Sequence, residues 1–176
     1  LHESTSKYVE PESSIIPMFR QVVKTMFDLA VYYADVSKNM RHKENNLAEV
    51  AEYYGPTPVP VEVDRNKMFD TVSERYDQYE DVFKKVLPTD LFNHFSEFTT
   101  CGKKMDADSW GKCAWHIFNN YSRNKDIVLI DALRVIWLAR FVSFYDECKD
   151  MSIFEAENKI KENATIFSNV MKNVLK

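Results

Sequence analysis

Glycine is scarce in this chain. An average composition would place about 12 glycines in a chain of this length, whereas the sequence has three: Gly55, Gly102 and Gly111. A doubly wound nucleotide-binding sheet needs glycines where its backbone approaches phosphates, and neither G-x-G-x-x-G nor G-x-x-x-x-G-K-[ST] occurs in the sequence. The scarcity therefore argues against nucleotide binding by this segment.

Cysteine and clustered basic charge are also limited. The three cysteines, Cys101, Cys113 and Cys148, are widely spaced and form no C-x-x-C pair, which is typical of reduced thiols in a cytoplasmic protein. The 23 Lys and Arg residues are spread along a chain of net charge −4. That distribution argues against nucleic-acid binding, because a nucleic-acid footprint gathers its basic residues on one surface.

The sequence contains no long uninterrupted apolar run. No charged-then-apolar signal segment opens the chain, and the most apolar stretch, residues 127–145, is interrupted by Asp131, Arg134 and Arg140. A buried core helix is therefore favoured over a membrane span.

Helical periodicity is what the sequence does contain. Apolar residues at i, i+3, i+4 and i+7 predict a long amphipathic helix over residues 14–40, with Pro17 in its first turn. A short helix over residues 47–54 and a proline-punctuated extended connector over residues 55–61 are predicted next.

Capping residues mark the later helices. Helix starts are predicted at Asp64, Thr89–Asp90, Asp106 or Asp108, Asp126 and Ser152. The helix that starts at Thr89–Asp90 is predicted to be brief and to end at Phe98. The helix after Asp126 is apolar nearly all round and should be central. The last helix carries the apolar stripe Phe154, Ile160, Ala164, Phe167, Met171 and Val174. Strand-like alternation is missing, so we predict an all-α fold, an irregular helical domain of about six or seven helices with one proline-rich connector.

Two groups of polar residues resemble metal sites. Asp106-Ala107-Asp108 is similar to the D-x-D of sugar-nucleotide enzymes, but it precedes a helix, where capping explains it better. His42, His94 and His116 lack Glu or His partners at helical metal-ligand spacing. These residues are therefore interpreted as structural.

Three tryptophans leave an alternative open. Trp110, Trp115 and Trp137, together with the Tyr and Phe stripes, would suit a sugar-binding cleft. Aromatic stripes at helical spacing more often belong to the core, so both interpretations are carried to the structure.

A resemblance goes further than composition. His2 is followed, after a polar spacer, by the P-M-x-R-Q-V pattern of residues 17–22 at the head of the long helix. This arrangement resembles the junction between the catalytic and C-terminal parts of retaining glycosyltransferases. The family includes glucosylglycerate synthase and glucosyl-3-phosphoglycerate synthase, with mannosylglycerate synthase a more distant relative. A similar order of features continues through residues 59–61, 87–100, Trp115 and 133–145.

The resemblance implies a two-part enzyme. Residues 1–14 would be the linker from an N-terminal catalytic domain that is missing here, and residues 15–176 the C-terminal helical domain. The parent would use a divalent metal, Mg or Mn, to transfer a hexose from a nucleotide sugar to glycerate, 3-phosphoglycerate or a similar small acceptor. The fragment alone would bind no cofactor and be inactive, and the parent would be a cytoplasmic homodimer, with neither a membrane nor a nucleic acid as partner.

The same resemblance assigns roles to three residues. His2 would complete the metal site of the parent enzyme. Arg20 and Gln21 would lie near the acceptor, where a guanidinium suits a carboxylate or phosphate; alternatively, Arg20 pairs with a carboxylate across the domain junction.

The rival hypothesis is a stand-alone helical protein-interaction or oligomerisation module without catalysis. The chain begins at Leu1 and not at Met, which leads us to expect a piece of a longer protein or a processed one. What precedes Leu1 distinguishes the two hypotheses, because the glycosyltransferase requires a glycine-bearing α/β region with a D-x-D motif upstream.

Overall fold

The computed structural model describes residues 11–34 and 63–174. Within these ranges the chain forms six helices and no strand, which confirms the all-α prediction. The helices are α1 (Pro11–Tyr32), α2 (Arg65–Val86), α3 (Thr89–Cys101), α4 (Ala107–Asn124), α5 (Ile127–Cys148) and α6 (Ile153–Val174). The predicted helix over residues 47–54 and the connector over residues 55–61 lie outside the described residues.

The predicted aspartate caps are in place. Each carboxylate accepts a backbone N–H from the first turn of its helix: Asp64 from Lys67 at 3.0 Å, Asp106 from Ser109 at 2.8 Å and Asp126 from Val128 at 3.0 Å. These bonds satisfy N–H groups that have no partner within the helix.

The predicted capping box begins α6. The Glu155 carboxylate accepts the backbone N–H of Ser152 at 2.8 Å, and the Glu155 backbone N–H donates to the Ser152 hydroxyl at 3.3 Å. The reciprocal pair is the arrangement that the Ser-x-x-Glu spacing predicts.

The position of Pro17 in α1 was predicted wrongly. The helix begins at Pro11, so Pro17 lies in its interior. Pro11 takes the first-turn position that proline favours, since an N–H there has no helical partner. The helix continues past Pro17 without the hydrogen bond that this residue cannot donate. The predicted extension over residues 35–40 lies outside the described residues.

The end of α3 also differs from the prediction. The helix runs to Cys101, one turn beyond the expected Phe98. It ends at Gly102, which has a φ of 69°. Glycine adopts this left-handed conformation without the steric cost that other residues have.

Helix α5 is the centre of the domain, as predicted. It packs against α1, α2, α4 and α6. Eleven of its residues are buried, among them Ile130, Ala132, Ile136 and Ala139, which are fully buried. Helix α3 covers α2 through aromatic contacts centred on Phe95.

Helices α1 and α2 both run antiparallel to α5. In α1, Phe19 lies against Trp137, whereas Asp28 pairs with Lys125 just before α5 begins. In α2, the first residue, Arg65, pairs with Asp146 near the end of α5. The first turns of α1 therefore lie beside the C-terminal half of α5.

The apolar stripe predicted for α6 is wrong in its first half. Phe154 is 71% exposed and Ile160 is 54% exposed, whereas Val170 near the end of the helix is buried. Helix α6 approaches α4 closely there, because a Cβ at Gly111 would lie 3.3 Å from Phe167 and Val170. A groove lies between α5 and the middle of α6.

None of the helices within residues 11–34 and 63–174 combines the length and the apolar character needed to cross a membrane.

Candidate functional site

Arg20 forms a bidentate ion pair with Asp131 of α5. Its Nε donates to Oδ1 at 3.0 Å and its Nη2 donates to Oδ2 at 2.8 Å. These bonds raise the pKa of the Arg20 guanidinium. Arg20 thus pairs with a carboxylate, but the carboxylate belongs to the same helical domain and not to a partner across a junction. Its role in acceptor binding stays a prediction.

Of the other two residues assigned from the resemblance, Gln21 lies on the surface of α1 and His2 lies outside the described residues. Gln21 is exposed, next to Arg20 on the surface of α1. Lys24, one turn further along, is half exposed and donates to Asp28 at 2.6 Å. His2 lies outside the described residues, so its metal-binding role also stays a prediction.

Sequence reasoning did not assign a role to Asp131. The signal was present, because Asp131 is an acidic residue within the most apolar helix. A buried carboxylate needs a counter-charge or several hydrogen-bond donors. The identity of its partner, 111 residues away in sequence, required the fold.

Asp28 joins α1 to α4 and to the start of α5. Its carboxylate accepts hydrogen bonds from Lys24 at 2.6 Å, Lys125 at 2.9 Å and the Tyr121 hydroxyl at 3.1 Å. The hydrogen bonds from Lys24 and Lys125 hold the pKa of Asp28 well below its ordinary value. This cluster fixes the C-terminal half of α1.

Helix α1 has an apolar face that the described residues cover only in part. Phe19, Val23 and Phe27 pack against the core. A second row of apolar side chains lies beside them and is about half exposed or more: Met18 at 58%, Val22 at 50%, Met26 at 61% and Leu29 at 49%. With 3.6 residues per turn, the two rows together span roughly half the circumference of the helix. We call the second row the outer row.

An aromatic groove of about 340 Å³ lies between α5 and the middle of α6. Trp137, Phe141 and Phe144 of α5 line one side, and Trp110 at the start of α4 closes one end. The structure thus brings together Trp110 and Trp137 from the predicted cleft. Trp115 lies elsewhere, against Phe118. Sugar binding in the groove stays a prediction.

Arg140 is the charged residue in the wall of the groove. Its Nη1 donates to the Met105 carbonyl at 3.0 Å and to Glu147 at 2.7 Å. Its guanidinium also lies over the Phe144 ring, 5.5 Å from the centroid. The Arg140 guanidinium is therefore bound by Met105, Glu147 and Phe144 of the same domain.

The D-x-D segment acts as a helix start. Asp106 caps α4, and Asp108 pairs with Lys112 one turn later at 2.5 Å. Across the described ranges, groups of three or more His, Cys, Asp or Glu side chains that would hold a metal ion are absent. Asp106 therefore acts as the cap, and Asp108 lies in the first turn, where its charge complements the helix dipole.

The two histidines in the described ranges, His94 and His116, have surroundings that fit a structural role. His94 Nε2 lies 3.0 Å from the Lys104 carbonyl and 3.7 Å from Asp106. Burial lowers the pKa of His116. His42 lies outside the described residues.

Comparisons of the chain with protein-family models, with curated proteins and with solved structures find no match. Function is therefore inferred from the residues, their contacts and the resemblance of the α1 motif.

Proposed function

We propose that this chain is the helical C-terminal domain of a cytoplasmic, metal-dependent glycosyltransferase. The parent enzyme transfers a hexose from a nucleotide sugar to glycerate, 3-phosphoglycerate or a similar small acceptor. In this proposal the domain docks against the catalytic domain through the outer row of α1, and His2 reaches the metal site. The parent enzyme forms a homodimer.

The observation that carries the proposal is the exposed outer row. An amphipathic helix on the surface of a domain needs an apolar stripe on the side that faces the core, and α1 has this stripe in Phe19, Val23 and Phe27. The second row is contiguous with the first and extends over about three turns from Met18 to Leu29. A contiguous exposed apolar surface of this kind marks an interaction site.

The side chains in the motif and just after it face two different surfaces. Phe19 and Val23 hold α1 on the core, while Met18 and Val22 belong to the outer row. Arg20 pairs with α5. The motif that carries the resemblance therefore contributes to both the attachment of α1 and the surface that we propose for docking.

The place of His2 in the chain is consistent with this arrangement. An extended chain covers roughly 3.3 to 3.6 Å per residue, so the residues between His2 and Pro11 span at most about 30 Å. A catalytic domain joined through His2 would lie near the first turns of α1, next to the outer row.

The first test is the mass of the natural polypeptide, captured by an antibody raised against this domain and measured by intact-mass spectrometry. The proposal expects a product larger than 20.7 kDa by a domain of roughly 150 to 250 residues. That product should transfer a hexose to glycerate or 3-phosphoglycerate in the presence of Mg²⁺ or Mn²⁺, and His2→Ala should abolish metal-dependent transfer.

The docking surface is tested by a matched pair of substitutions in the same polypeptide. Val22→Glu places a charge in the outer row, and Ile153→Glu makes the same kind of change at a 68% exposed site at the start of α6. Val22→Glu should lower transfer activity and increase protease cleavage between the domains, whereas Ile153→Glu should leave both unchanged. Equal effects of the two variants would contradict docking through α1.

The second candidate function is a stand-alone helical interaction module. The outer row favours it as well, since an exposed apolar surface suits any protein partner. A natural polypeptide of about 20.7 kDa without transfer activity would establish this candidate and reject the glycosyltransferase.

A further inference from the structure

We infer that Asp131 is a positioning residue that holds the Arg20 guanidinium ready to bind the carboxylate or phosphate of an anionic acceptor. The inference rests on the proposed function and names the group of this domain that contacts the acceptor.

Asp131 occupies an unusual position for a carboxylate. It is 9% exposed and lies on the central helix between Ile130 and Ala132, which are both fully buried. Removing a carboxylate from water is costly, and a buried ion pair often contributes no more stability than apolar residues of similar size. Stability alone is therefore a weak reason for an acid here.

The ion pair leaves donors available on Arg20. A guanidinium has five N–H groups, and the bonds to Asp131 use one on Nε and one on Nη2. The Asp131 side chain is 12% exposed, whereas that of Arg20 is 47% exposed. The two N–H groups of Nη1 and the second of Nη2 make no hydrogen bond to the described residues, and Tyr79 is the other described group close enough to act on the Arg20 charge.

Such an arrangement suits an anion. A guanidinium binds carboxylate or phosphate oxygens through paired N–H groups, and a fixed guanidinium loses less entropy on binding than a free one. Arg20 is held at both Nε and Nη2, so its plane is set before a ligand arrives. The exposed Gln21 lies next to it in sequence and adds a polar group to the same stretch of helix.

A second ion pair of the domain provides a matched comparison. Arg65 also donates through Nε and Nη2 to one carboxylate, that of Asp146, at 3.2 and 2.8 Å. However, the Arg65 guanidinium also lies over the Phe69 ring, 5.2 Å from the centroid, and its side chain is 33% exposed. Arg65 therefore resembles Arg20 in its pairing and differs in its lower exposure and in the aromatic ring that covers one face of its guanidinium.

The test is an NMR titration of the nitrogen-15-labelled chain, following the Nε–Hε signals of Arg20 and Arg65. Inorganic phosphate and D-glycerate are the probes, and sodium chloride at equal ionic strength is the control. We expect saturable shifts of the Arg20 signal with both anions and smaller ones for Arg65. Asp131→Asn removes a negative charge that repels the anion but also frees the guanidinium, and the inference expects the second effect to prevail. Anion binding at Arg20 should therefore weaken by about two- to tenfold, the cost of immobilising one long side chain, while Asp146→Asn should not change it.

Arg20→Lys is the second variant, because it keeps the positive charge but lacks the planar fork. It should remain folded, as judged by circular dichroism, and lose phosphate binding. The inference would be overturned by a wild-type Arg20 signal that does not move, by equal shifts of Arg20 and Arg65, or by unchanged binding in Asp131→Asn or in Arg20→Lys.

The proposed function fails separately. If the natural polypeptide transfers no hexose while Arg20 binds phosphate and glycerate in an Asp131-dependent way, the glycosyltransferase is rejected and the anion site stands. If hexose transfer depends on His2 while the Arg20 signal does not respond, the site is rejected and the function stands.

Discussion

Ser143→Ala tests how the loop before α4 is fixed to the central helix. The buried Ser143 hydroxyl accepts the Met105 backbone N–H at 2.9 Å and donates to the Ala139 carbonyl at 3.0 Å. Met105 is fully buried, so alanine at position 143 leaves its N–H without this acceptor and away from water. An unsatisfied buried donor costs about 1 to 3 kcal/mol, and the higher helix propensity of alanine returns about 0.5 kcal/mol.

The expected result is a net loss of about 0.5 to 2.5 kcal/mol in the free energy of unfolding, measured by urea denaturation with circular dichroism. Ser73→Ala is the control, because the Ser73 hydroxyl also donates to the carbonyl four residues earlier, that of Phe69, at 3.3 Å. That carbonyl keeps its place in the helix, so the control should change stability by less than about 0.5 kcal/mol. Losses that agree within error for the two variants would refute the assignment to the Met105 N–H.

Three other outcomes are expected. Because hydrogen bonds from lysines hold the pKa of Asp28 below its unfolded value of about 3.9, its stabilising effect is present above about pH 4 and is lost as the pH falls towards the lowered pKa. Acid titration followed by circular dichroism should therefore show a steeper loss of stability for the wild type than for Asp28→Asn. Cys101 is exposed, whereas burial raises the pKa of Cys113 to about 12. A thiol reagent should therefore modify Cys101 quickly and Cys113 only at the rate of unfolding. Fast labelling of both cysteines would contradict the burial of Cys113. Gly111→Leu should lower Tm, because even a Cβ at this position would lie 3.3 Å from Phe167 and overpacking costs about 1 to 3 kcal/mol. An unchanged Tm would mean that α6 moves away freely.

Local signals in the sequence predicted most of the helices. The caps at Asp64, Asp106 and Asp126 were predictable because a carboxylate bonds to N–H groups two or three residues ahead. The central place of α5 followed from its apolar residues on all sides. These features depend on neighbours in sequence, which a single chain displays directly.

The errors had two sources, a contact between distant residues and an unrecognised helix start. The apolar stripe of α6 was misplaced because Gly111, about 60 residues earlier in the chain, lets α4 approach the second half of α6 and not the first. Pro17 was placed in a first turn because the start of α1 at Pro11 was not recognised.

The candidate site was predicted in part. Arg20 was singled out from the sequence, but its partner Asp131 was not, since nothing local links residues on α1 and α5. Likewise, the sequence grouped three tryptophans, and the fold separates Trp115 from Trp110 and Trp137. Helical spacing shows which residues share a face of one helix, and it cannot show which faces meet.

The attachment of α1 has a consequence for how the chain folds. Its anchoring bonds join residues that are 111 positions apart, from Arg20 to Asp131, and 93 positions apart, from Asp28 to Tyr121. During synthesis α1 leaves the ribosome before the other described helices, and its native partners on α4 and α5 are made only after α2 and α3. Helices α2 to α5 can associate through shorter loops, which close at a lower entropic cost. Helix α1 should therefore dock last and open first in native-state hydrogen exchange, and until it docks both of its apolar rows are open to chaperones.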